Sequence, residues 1–518
     1  MFENIKILWI DDEVDLLNIH IIFLKKKGYN VQTATNAQDA FDILKIEKFD
    51  IIFLDENMPG ITGLNALPKI KELSPHTPII MVTKSEEEAV MDEAIGRQVA
   101  DYLIKPVKPQ QIFLTIKKNV FQKDLITEKT GTKFREEFNK LSYEINFANA
   151  WQDWIEIYKK ITHWSLLLDE IQDKVLLSIL DSLNQEANNV FGKYVKNNYE
   201  QWIYGQGPTM IFDVLTKELI PILKNKEKEQ PIFLIVIDNL RFDHWRELRA
   251  IIHNKVAKIE EKLIFSILPT ATQYARNSLF AGLKPLEIKR YFPKLWLDDT
   301  MQGNKNEYEN ILFENLLKRN NIDIKFTFHK IFNDDQGQKI LQKLKNLINY
   351  PLNIIIYNFI DMLSHAKTNT QMIKELAKDE LAYRSVVKSW FKHSSINHLI
   401  EQLSRYQAKI FITTDHGAIR VKKPVKIIGD RETSTNIRYK QGKNLNYPKS
   451  KVFAVNKPEK IGLPKSNIVN TYIFAMGNDF FVYKNNYHQF VNLFKDSFQH
   501  GGISLEEMII PFIKIKTH

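Results

Sequence analysis

The sequence predicts an α/β protein in three parts: an N-terminal doubly wound domain, a helical bundle and a larger C-terminal α/β domain. Three observations support this prediction. Short apolar strands alternate with amphipathic helices over the first 120 residues, aromatic residues then recur at helical spacing, and a fully apolar strand ending in an acid opens the last part. At roughly 100–200 residues per domain, a chain of 518 residues has room for two to four domains.

The N-terminal domain is expected to span residues 1–122. Its strands are predicted at residues 5–10, 30–33, 51–54, 79–82 and 101–104, with helical patterns between them. The first helix is expected to run through Lys27, because Gly28 favours a helix C-cap. Alternation at this spacing is typical of a parallel sheet with helices on both faces.

Polar side chains follow these strands at the point where each strand ends. They are Asp11 and Asp12 after the first strand, Asp55 after the third, Thr83 after the fourth and Lys105 after the fifth. Because the carboxyl ends of parallel strands meet at one edge, these groups should converge. Clustered carboxylates suit Mg²⁺. Asp55 could then accept a phosphoryl group, with Lys105 neutralising its charge and Thr83 bonding its oxygens.

Residues 1–120 resemble the receiver domain of two-component response regulators. The resemblance rests on the DD pair, the D-x-x-MPG-x-x-G loop, the threonine and the Lys-Pro dipeptide. It implies phosphorylation of Asp55 by a sensor histidine kinase, an aromatic switch at Tyr102 and Mg²⁺ binding through the backbone carbonyl of Asn57. It further implies a phosphorylation-promoted homodimer, and the Lys105–Pro106 bond is a candidate for the cis form.

Residues 123–222 are predicted to form the helical bundle. Trp151, Trp154, Tyr158 and Ile161 follow one another at three- and four-residue steps, and residues 134–145 and 191–202 repeat the pattern. Such a stripe ordinarily packs in a core, so we assign it no chemistry. A charged, solvated linker is expected at residues 224–230.

The last domain is expected to span residues 223–518, with buried strands at 231–238, 352–357 and 409–414 and helices at 243–252 and 371–391. Acidic and imidazole side chains lie at or after these elements: Asp238, Asp361, His365, Asp415, His416 and His500. Asp361 and His365 are one helical turn apart and can therefore face one ion. Six such residues can provide three ligands to each of two metal ions. Mixed His and Asp ligands suit Zn²⁺, with Mn²⁺ as the second choice.

A nucleophile is expected beside these metals, because paired metal ions commonly serve phosphoryl chemistry. The segment LPTATQYARN, residues 268–277, follows a strand and leads into a helix. Thr272 would lie at the start of that helix, where backbone N–H groups favour a bound phosphate. It could attack phosphorus and form a phosphothreonine intermediate, and Thr270 remains the alternative nucleophile.

The order of these motifs resembles the alkaline phosphatase superfamily, and within it the PglZ domain. The motifs are the metal Asp, the threonine, D-x-x-x-H, DHG and HGG-x-S. The resemblance implies one metal on Asp361, His365 and His500 and the other on Asp238, Asp415 and His416, with Thr272 between them. The PT-x-T spacing resembles the nucleotide pyrophosphatase/phosphodiesterase branch, which favours Thr272 over Thr270.

Positive charge is concentrated after the N-terminal domain. The whole chain has a net charge of +10, whereas residues 1–120 hold 14 Lys and Arg against 18 Asp and Glu. Residues 420–451 hold ten basic residues against two acidic ones, with Arg431 and Arg438 as weak candidates for substrate binding. Basic residues interleaved with aromatics suit a nucleotide or short oligonucleotide substrate, and a solvated loop is the alternative.

Composition excludes several classes of site. The chain has no cysteine, which excludes disulfides, thiolate metal sites and cysteine nucleophiles. It has no run of about 18 apolar residues, so no membrane insertion is expected. An early acidic cluster argues against a signal peptide. We therefore expect a cytoplasmic protein.

The three parts in this order resemble the PglZ-domain response regulators associated with the type IX secretion system of Bacteroidota-type bacteria. The expected function is a zinc-dependent phosphodiesterase or phosphatase controlled by phosphorylation of Asp55. The alternative is a non-enzymatic regulator whose metal-bound domain is a binding platform for DNA, a sigma factor or a secretion component. The complete ligand set favours an enzyme, and the lack of a recognisable helix-turn-helix weakens direct DNA binding.

Overall fold

The computed structural model describes residues 5–75, 77–84, 99–120, 122–225, 230–299, 301–369, 375–429, 436–465, 471–484 and 487–517. The chain divides into two compact units, Met1–Glu136 and Glu137–His518. Within the described ranges, no helix is both long enough and apolar enough to cross a membrane.

The first unit is a five-stranded parallel sheet with helices on both faces, which confirms the predicted doubly wound fold. The sheet order is β2-β1-β3-β4-β5, with β1 Lys6–Ile10, β2 Asn30–Ala34, β3 Ile51–Asp55, β4 Ile79–Thr83 and β5 Asp101–Ile104. Its described helices are the 3₁₀ turn Val14–Leu17 and the α-helices Asn18–Lys26, Ala37–Ile46, Gly63–Leu73 and Pro109–Val120.

Two apolar clusters attach these helices to the sheet. Side chains alternate along β1, so that Ile7 and Trp9 pack with the first and last α-helices. Leu8 and Ile10 face the opposite side and pack with the middle two. Because both faces of β1, β3 and β4 are buried, these three strands read in the sequence as nearly continuous apolar runs.

Helices dominate the region that follows: Gln122–Phe147, Trp151–Ile171, Lys174–Ile203, Ile211–Glu218 and Ile220–Lys224. The predicted aromatic stripe is buried between the second and third of them, where the rings of Trp154 and Phe191 lie 5.3 Å apart. Asp173 begins the longest helix, because its side chain accepts the N–H groups of Val175 and Leu176.

A six-stranded mixed sheet forms the centre of the second unit. The strands of this unit are β6 Ile232–Ile237, β7 Lys258–Phe265, β8 Phe326–Ile331, β9 Leu352–Tyr357, β10 Lys409–Thr413, β11 Ile419–Arg420, β12 Lys423–Ile427, β13 Tyr439–Gly442, β14 Val452–Val455, β15 Thr471–Ala475, β16 Asp479–Tyr483, β17 Phe498–Gln499 and β18 Ile509–Lys516. The central order is β7-β18-β10-β6-β9-β8, and β11-β17, β12-β16 and β13-β15-β14 form small sheets.

Further helices lie between the strands of this unit in the sequence. They are Phe242–Ile252, Thr272–Ala281, Pro285–Tyr291, Glu309–Arg319, Asp334–Gln342, Leu344–Leu347, Phe359–Asn369, Glu380–His393, Ser395–Leu403, Tyr487–Phe494 and Leu505–Met508, with 3₁₀ turns at His253–Lys255, Pro293–Leu295 and Pro458–Ile461. The helix predicted over residues 371–391 is interrupted at residues 377–379. Residues 375 and 376 are helical, and a new helix begins at Glu380, because Asp379 caps it by accepting the N–H of Ala382; residues 371–374 of this prediction lie outside the described part.

The strand order brings the predicted site residues to one edge. β6 lies between β9 and β10 and runs parallel to both, so the three carboxyl ends meet there. Asp238 follows β6, helix Phe359–Asn369 follows β9, and Asp415 follows β10. Because β17 pairs with β11 just beyond Asp415, His500 comes to the same edge.

Candidate functional site

The first unit gathers carboxylates at the carboxyl edge of its sheet. Oxygen atoms of Asp11, Asp12 and Asp55 all lie within 4.8 Å of one another. Lys105 Nζ lies 2.8 Å from Asp11 Oδ2 and 3.0 Å from Asp55 Oδ1. Such an all-oxygen set fits Mg²⁺, which binds few protein ligands and retains waters.

Lys105 stays charged beside Asp55. Burial raises the pKa of Asp55, although the hydrogen bond from Lys105 opposes that shift. Burial acts to lower the pKa of Lys105, but its bonds to Asp11 and Asp55 outweigh burial and raise that pKa. The ammonium is therefore available to balance negative charge on an acylphosphate at Asp55.

The other predicted positions of this unit lie around the same edge or next to it. Thr83 ends β4, and its carbonyl accepts the N–H of Lys105 at 2.8 Å. Asn57 is exposed in the loop after β3. Tyr102 is 37% exposed on the outer strand β5. The Lys105–Pro106 bond is cis.

The second unit brings the six predicted metal ligands together as two groups. The groups are Asp361, His365 and His500, and Asp238, Asp415 and His416, each with ligand atoms within 4.8 Å of one another. The rings of His416 and His500 stack with centroids 4.2 Å apart, so the groups are neighbours. The edge of the sheet therefore carries one continuous site with two ligand sets.

Backbone carbonyls orient two of the imidazoles. Nδ1 of His500 lies 3.1 Å from the carbonyl oxygen of Thr270, and Nδ1 of His416 lies 3.1 Å from that of Gly417. A proton donated from Nδ1 leaves the Nε2 lone pair for a metal. Burial, and then the neighbouring His416, lower the pKa of His500 to about 3, which keeps this ring in the neutral form that metals bind.

Two buried carboxylate oxygens indicate that these residues fit a metal ion. Asp238 Oδ1 and Asp415 Oδ2 accept no hydrogen bond from an N–H or hydroxyl donor in the described part of the chain. Burial, and then the Asp415 carboxylate, raise the pKa of Asp238 well above its usual range. Because buried charge without a partner is costly, a divalent cation shared by these atoms fits the site. The nitrogen and oxygen donors suit zinc or manganese.

The Asp361 group differs in charge from the other group. Nε2 of His365 lies 3.4 Å from Asp361 Oδ2, and Nε2 of His500 lies 3.5 Å from Asp361 Oδ1. Burial acts to raise the pKa of Asp361, but the His365 hydrogen bond and the nearby rings lower it below its usual range. One carboxylate and two imidazoles form this set, whereas the other set has two carboxylates and one imidazole.

Thr272 occupies the position expected of a nucleophile. It begins helix Thr272–Ala281, and its Oγ1 lies 3.1 Å from His416 Nε2. No side chain caps this helix, so its first N–H groups can bind a phosphate. The hydroxyl of Thr270 instead donates to the Gly502 carbonyl and accepts the Gly501 N–H, each at 2.9 Å. The geometry therefore favours Thr272 over Thr270.

Arg276 is a site residue that the motifs do not reveal. Its Nη1 donates to Asp238 Oδ2 at 2.5 Å, and its Nε donates to Glu309 Oε1 at 2.5 Å. The guanidinium thereby offsets part of the buried negative charge. The sequence feature that could have revealed Arg276 is its position four residues after Thr272, which places both residues on the same face of the helix.

Asn239 connects the two ligand groups. Its side-chain amide donates to Asp361 Oδ1 at 3.4 Å, and its backbone N–H donates to Asp415 Oδ1 at 3.4 Å. Its φ of +65° is uncommon outside glycine, although asparagine tolerates this region better than most residues. The signal in the sequence was an asparagine directly after a strand-end acid.

Glu507 holds the HGG turn that carries His500. Its carboxylate accepts the Gly502 N–H at 2.9 Å, Ser504 Oγ at 2.7 Å and Arg438 Nη2 at 2.6 Å. Gly502 has no room for a side chain, because a Cβ would lie 2.6 Å from a backbone oxygen. The second glycine of the motif is therefore required by close packing.

The basic segment after the DHG motif is more buried than the sequence predicts. Arg438 is fully buried and bound to Glu507, so the structure does not bring it to a substrate surface as predicted. Its charge is needed inside the protein to neutralise that carboxylate. Burial also lowers the pKa of Lys440 to about 8. Arg431, the other predicted substrate contact, lies outside the described residues.

Three family models match the chain. The BREX system PglZ alkaline phosphatase-like domain matches residues 214–515, the response regulator receiver domain matches residues 7–117, and the PorX response regulator linker domain matches residues 124–203. Their order is the PorX-like architecture of receiver, linker and PglZ domain, which confirms the predicted arrangement.

Similar proteins include two from Bacillus subtilis (strain 168). The transcriptional regulatory protein ResD is 30% identical over 175 residues, which cover 33% of this chain and 72% of ResD. The alkaline phosphatase synthesis transcriptional regulatory protein PhoP is 26% identical over 242 residues, which cover 46% of this chain and 96% of PhoP. The solved structure of Vibrio cholerae chemotaxis protein CheY4 is 26% identical and covers 22% of this chain and 98% of its own, with a TM-score of 0.22.

Gly417 in the DHG motif should not tolerate a side chain. A Cβ there would lie 2.1 Å from the carbonyl oxygen of Glu506, and a backbone atom cannot move away cheaply. We predict that Gly417→Ala lowers the free energy of unfolding by roughly 1–3 kcal/mol, measured by chemical denaturation.

Gly192→Ala is the matched control for this prediction. Its Cβ would meet the Met476 Cβ at 3.0 Å, a contact that a shift of a few tenths of an ångström relieves, and alanine favours the surrounding helix. We expect a change below about 1 kcal/mol in this variant. Equal unfolding free energies for the two variants would contradict the close packing at Gly417.

Proposed function

Because the chain belongs to the PglZ alkaline phosphatase-like family and is a response regulator with a receiver domain, we propose that its PglZ domain is a zinc-dependent phosphodiesterase or phosphatase controlled through Asp55. The observation that supports this most strongly is the Thr272 hydroxyl, 3.1 Å from His416 beside two complete ligand groups. A binding platform without turnover does not require a hydroxyl at this position.

The proposed metal ligands are those that the geometry groups together. Asp361, His365 and His500 would hold one ion, and Asp238, Asp415 and His416 the other, with zinc proposed and manganese as the alternative. Two such cations would supply Lewis acidity to phosphoryl oxygens and would favour ionisation of a nearby hydroxyl. Arg276 would keep Asp238 in place, because it is bound to Oδ2 and leaves Oδ1, which accepts no hydrogen bond in the described part of the chain, for an ion.

Thr272 carries the proposed covalent step. Its Oγ1 would attack phosphorus, form a threonine–phosphate bond and displace the alcohol of the ester. Water would then cleave that bond, releasing phosphate or a monoester and restoring the threonine hydroxyl. The N–H groups at the start of helix Thr272–Ala281 would orient the phosphoryl oxygens during both steps.

The receiver domain implies a phosphodonor such as a sensor kinase. We propose a histidine kinase in this role, with phosphate transferred to Asp55 and Mg²⁺ held by Asp11, Asp12, Asp55 and the backbone carbonyl of Asn57. In this proposal Lys105 neutralises the acylphosphate, Thr83 bonds its oxygens and Tyr102 responds to it. A phosphorylation-promoted homodimer is proposed from the resemblance of this domain to its family.

The proposed substrate is a nucleotide or a short oligonucleotide. Support comes from the resemblance of the PT-x-T spacing to the nucleotide phosphodiesterase branch and from the net charge of +10. We also propose, from the PorX-like architecture, a link to the regulation of type IX secretion. The proposed domain bounds are residues 1–122, 123–222 and 223–518.

Replacing the nucleophile should stop turnover without removing the metals. We predict that Thr272→Val lowers the kcat for a chromogenic phosphodiester by about three orders of magnitude or more, because no oxygen remains to attack phosphorus. Thr272→Ser should retain measurable turnover. The zinc content of both variants, measured by elemental analysis, should equal that of the wild type.

Thr216→Val, an exposed substitution on helix Ile211–Glu218, is the control for general damage and should keep wild-type turnover. Full hydrolysis by Thr272→Val would refute the proposed nucleophile. A wild-type chain that holds zinc but cleaves no monoester or diester would instead favour the binding-platform alternative.

Phosphorylation of the receiver should depend on a single carboxylate. We predict that Asp55→Asn abolishes incorporation of an acid-stable, base-labile phosphoryl group from acetyl phosphate, measured by intact-protein mass spectrometry, because an amide cannot form the acylphosphate. Asp42→Asn, at an exposed aspartate bound to Lys45, is the matched control and should incorporate phosphate normally. Undiminished incorporation in Asp55→Asn would contradict this assignment.

A further inference from the structure

The longest helix of the linker, Lys174–Ile203, is bonded to the segment that follows His500. Asn188 is buried, accepts the Leu505 N–H at 2.8 Å and donates to Glu506 Oε2 at 3.1 Å. Asn184, one turn earlier, donates to Glu506 Oε1 at 2.8 Å. Two amides of the linker helix therefore hold a buried carboxylate and a backbone N–H of the PglZ domain.

This contact leads back to His500 through a hydrogen-bonded turn. Ser504 accepts the Glu507 N–H at 3.1 Å and caps helix Leu505–Met508. Glu507 in turn accepts the Gly502 N–H at 2.9 Å. Hydrogen bonds and short peptide links therefore connect Asn188 to His500 without a gap.

The same helix holds the loop before Thr272. Tyr199 is fully buried, and its hydroxyl accepts the Leu268 N–H at 2.6 Å. Eleven residues separate Asn188 from Tyr199, which is close to three turns, so both side chains lie on one face of the helix. Side chains on one face of this helix therefore make hydrogen bonds on both sides of the site. Tyr199 bonds the loop before Thr272, and Asn188 bonds the segment that follows His500.

A third contact comes from the other linker helix, Trp151–Ile171. Asp169 is bound by Arg384, which also donates to Asp243 Oδ2 at 2.9 Å. Asp243 accepts Arg241 Nε at 2.9 Å, and Arg241 Nη1 donates to the Ala418 carbonyl at 3.4 Å. These buried ion pairs and hydrogen bonds connect Asp169 to Ala418, which directly follows the DHG motif.

We infer that the linker helices are a positioning element of the metal site, in which Asn188 positions His500 and Tyr199 positions the loop that carries Thr272. This inference rests on the proposed function, because it assigns His500 to a metal and Thr272 to the nucleophile. The PglZ domain alone then lacks part of its own catalytic framework. A shift of helix Lys174–Ile203 moves both sides of the site together.

Metal retention tests the role of Asn188 without reference to activity. The full chain, loaded with two zinc ions, is titrated with a chelator, and the cobalt-substituted chain is followed by visible absorption. We expect Asn188→Ala to release one of the two ions at a chelator concentration about tenfold lower, because residues that orient a metal ligand commonly carry this much affinity. The absorption of one of the two cobalt sites should change in the same variant.

Asn198→Ala is the matched control on the same helix. The amide of Asn198 donates to the Tyr194 carbonyl at 2.8 Å, within the helix itself. Its zinc release and cobalt spectrum should match those of the wild type. If both variants release zinc as the wild type does, the positioning role of Asn188 is overturned.

Steady-state kinetics test the role of Tyr199. Tyr199→Phe keeps the buried ring but leaves the Leu268 N–H without its acceptor. We expect kcat to fall about tenfold at an unchanged KM, with zinc retention within twofold of the wild type, because the nucleophile loop and not the ligand set is affected. Tyr204→Phe, at an exposed position just after the helix, should leave kcat unchanged. An unchanged kcat in Tyr199→Phe would overturn this part of the inference.

A replacement variant and a measurement on the wild type complete these tests. If Asn188→Ala fails to fold, Asn188→Leu replaces it, because leucine has a similar volume and makes neither of the two hydrogen bonds of Asn188. Normal zinc release in Asn188→Leu would then overturn the positioning role of Asn188. A wild-type chain that holds two zinc ions but hydrolyses no ester would refute the proposed function alone, because zinc retention is measured without substrate.

Discussion

Two buried carboxylates at neighbouring strand ends, Asp238 and Asp415, constrain the rest of the catalytic edge. β6 and β10 are paired in register, so these like charges are forced together where water cannot screen them. Arg276 offsets one oxygen of Asp238, and the oxygens without donors need a further cation. The imidazoles and the Thr272 hydroxyl lie around these carboxylates, where such cations would bind them together.

The half of the site that carries His500 depends on a different interaction. His500 lies on no strand of the central sheet, and its position is set by the buried Glu507–Arg438 pair and by the Thr270 carbonyl. Removing one member of a buried ion pair typically costs about 3–5 kcal/mol, so this pair is a strong anchor. Asn188 adds a contact from the linker to the same turn. The sheet therefore supplies one ligand set, while loops and the linker complete the other.

The fold class was accessible from the sequence because strand-end acids and short motifs are local signals. The sequence did not reveal strand β8, because it is a half-buried edge strand. It did not reveal β18 either, because Pro511 interrupts the apolar pattern of that strand. The burial of Arg438 could not be predicted, since its partner is 69 residues away in the chain. Contacts such as that of Asn188 with Leu505 span 317 residues and leave no local pattern. The residues that form the site could therefore be predicted from the sequence, whereas the hydrogen-bond and ion-pair partners that orient them could not.

The number of metal ions per chain tests the central claim most directly. Native mass spectrometry of the zinc-loaded full chain should find two tightly bound zinc ions in the wild type. It should find one in Asp415→Asn and one in His365→Ala, because each substitution removes a ligand from only one group. Fewer than two zinc ions in the wild type, or two ions retained in both variants, would contradict the assignment of two metal ions to these six residues.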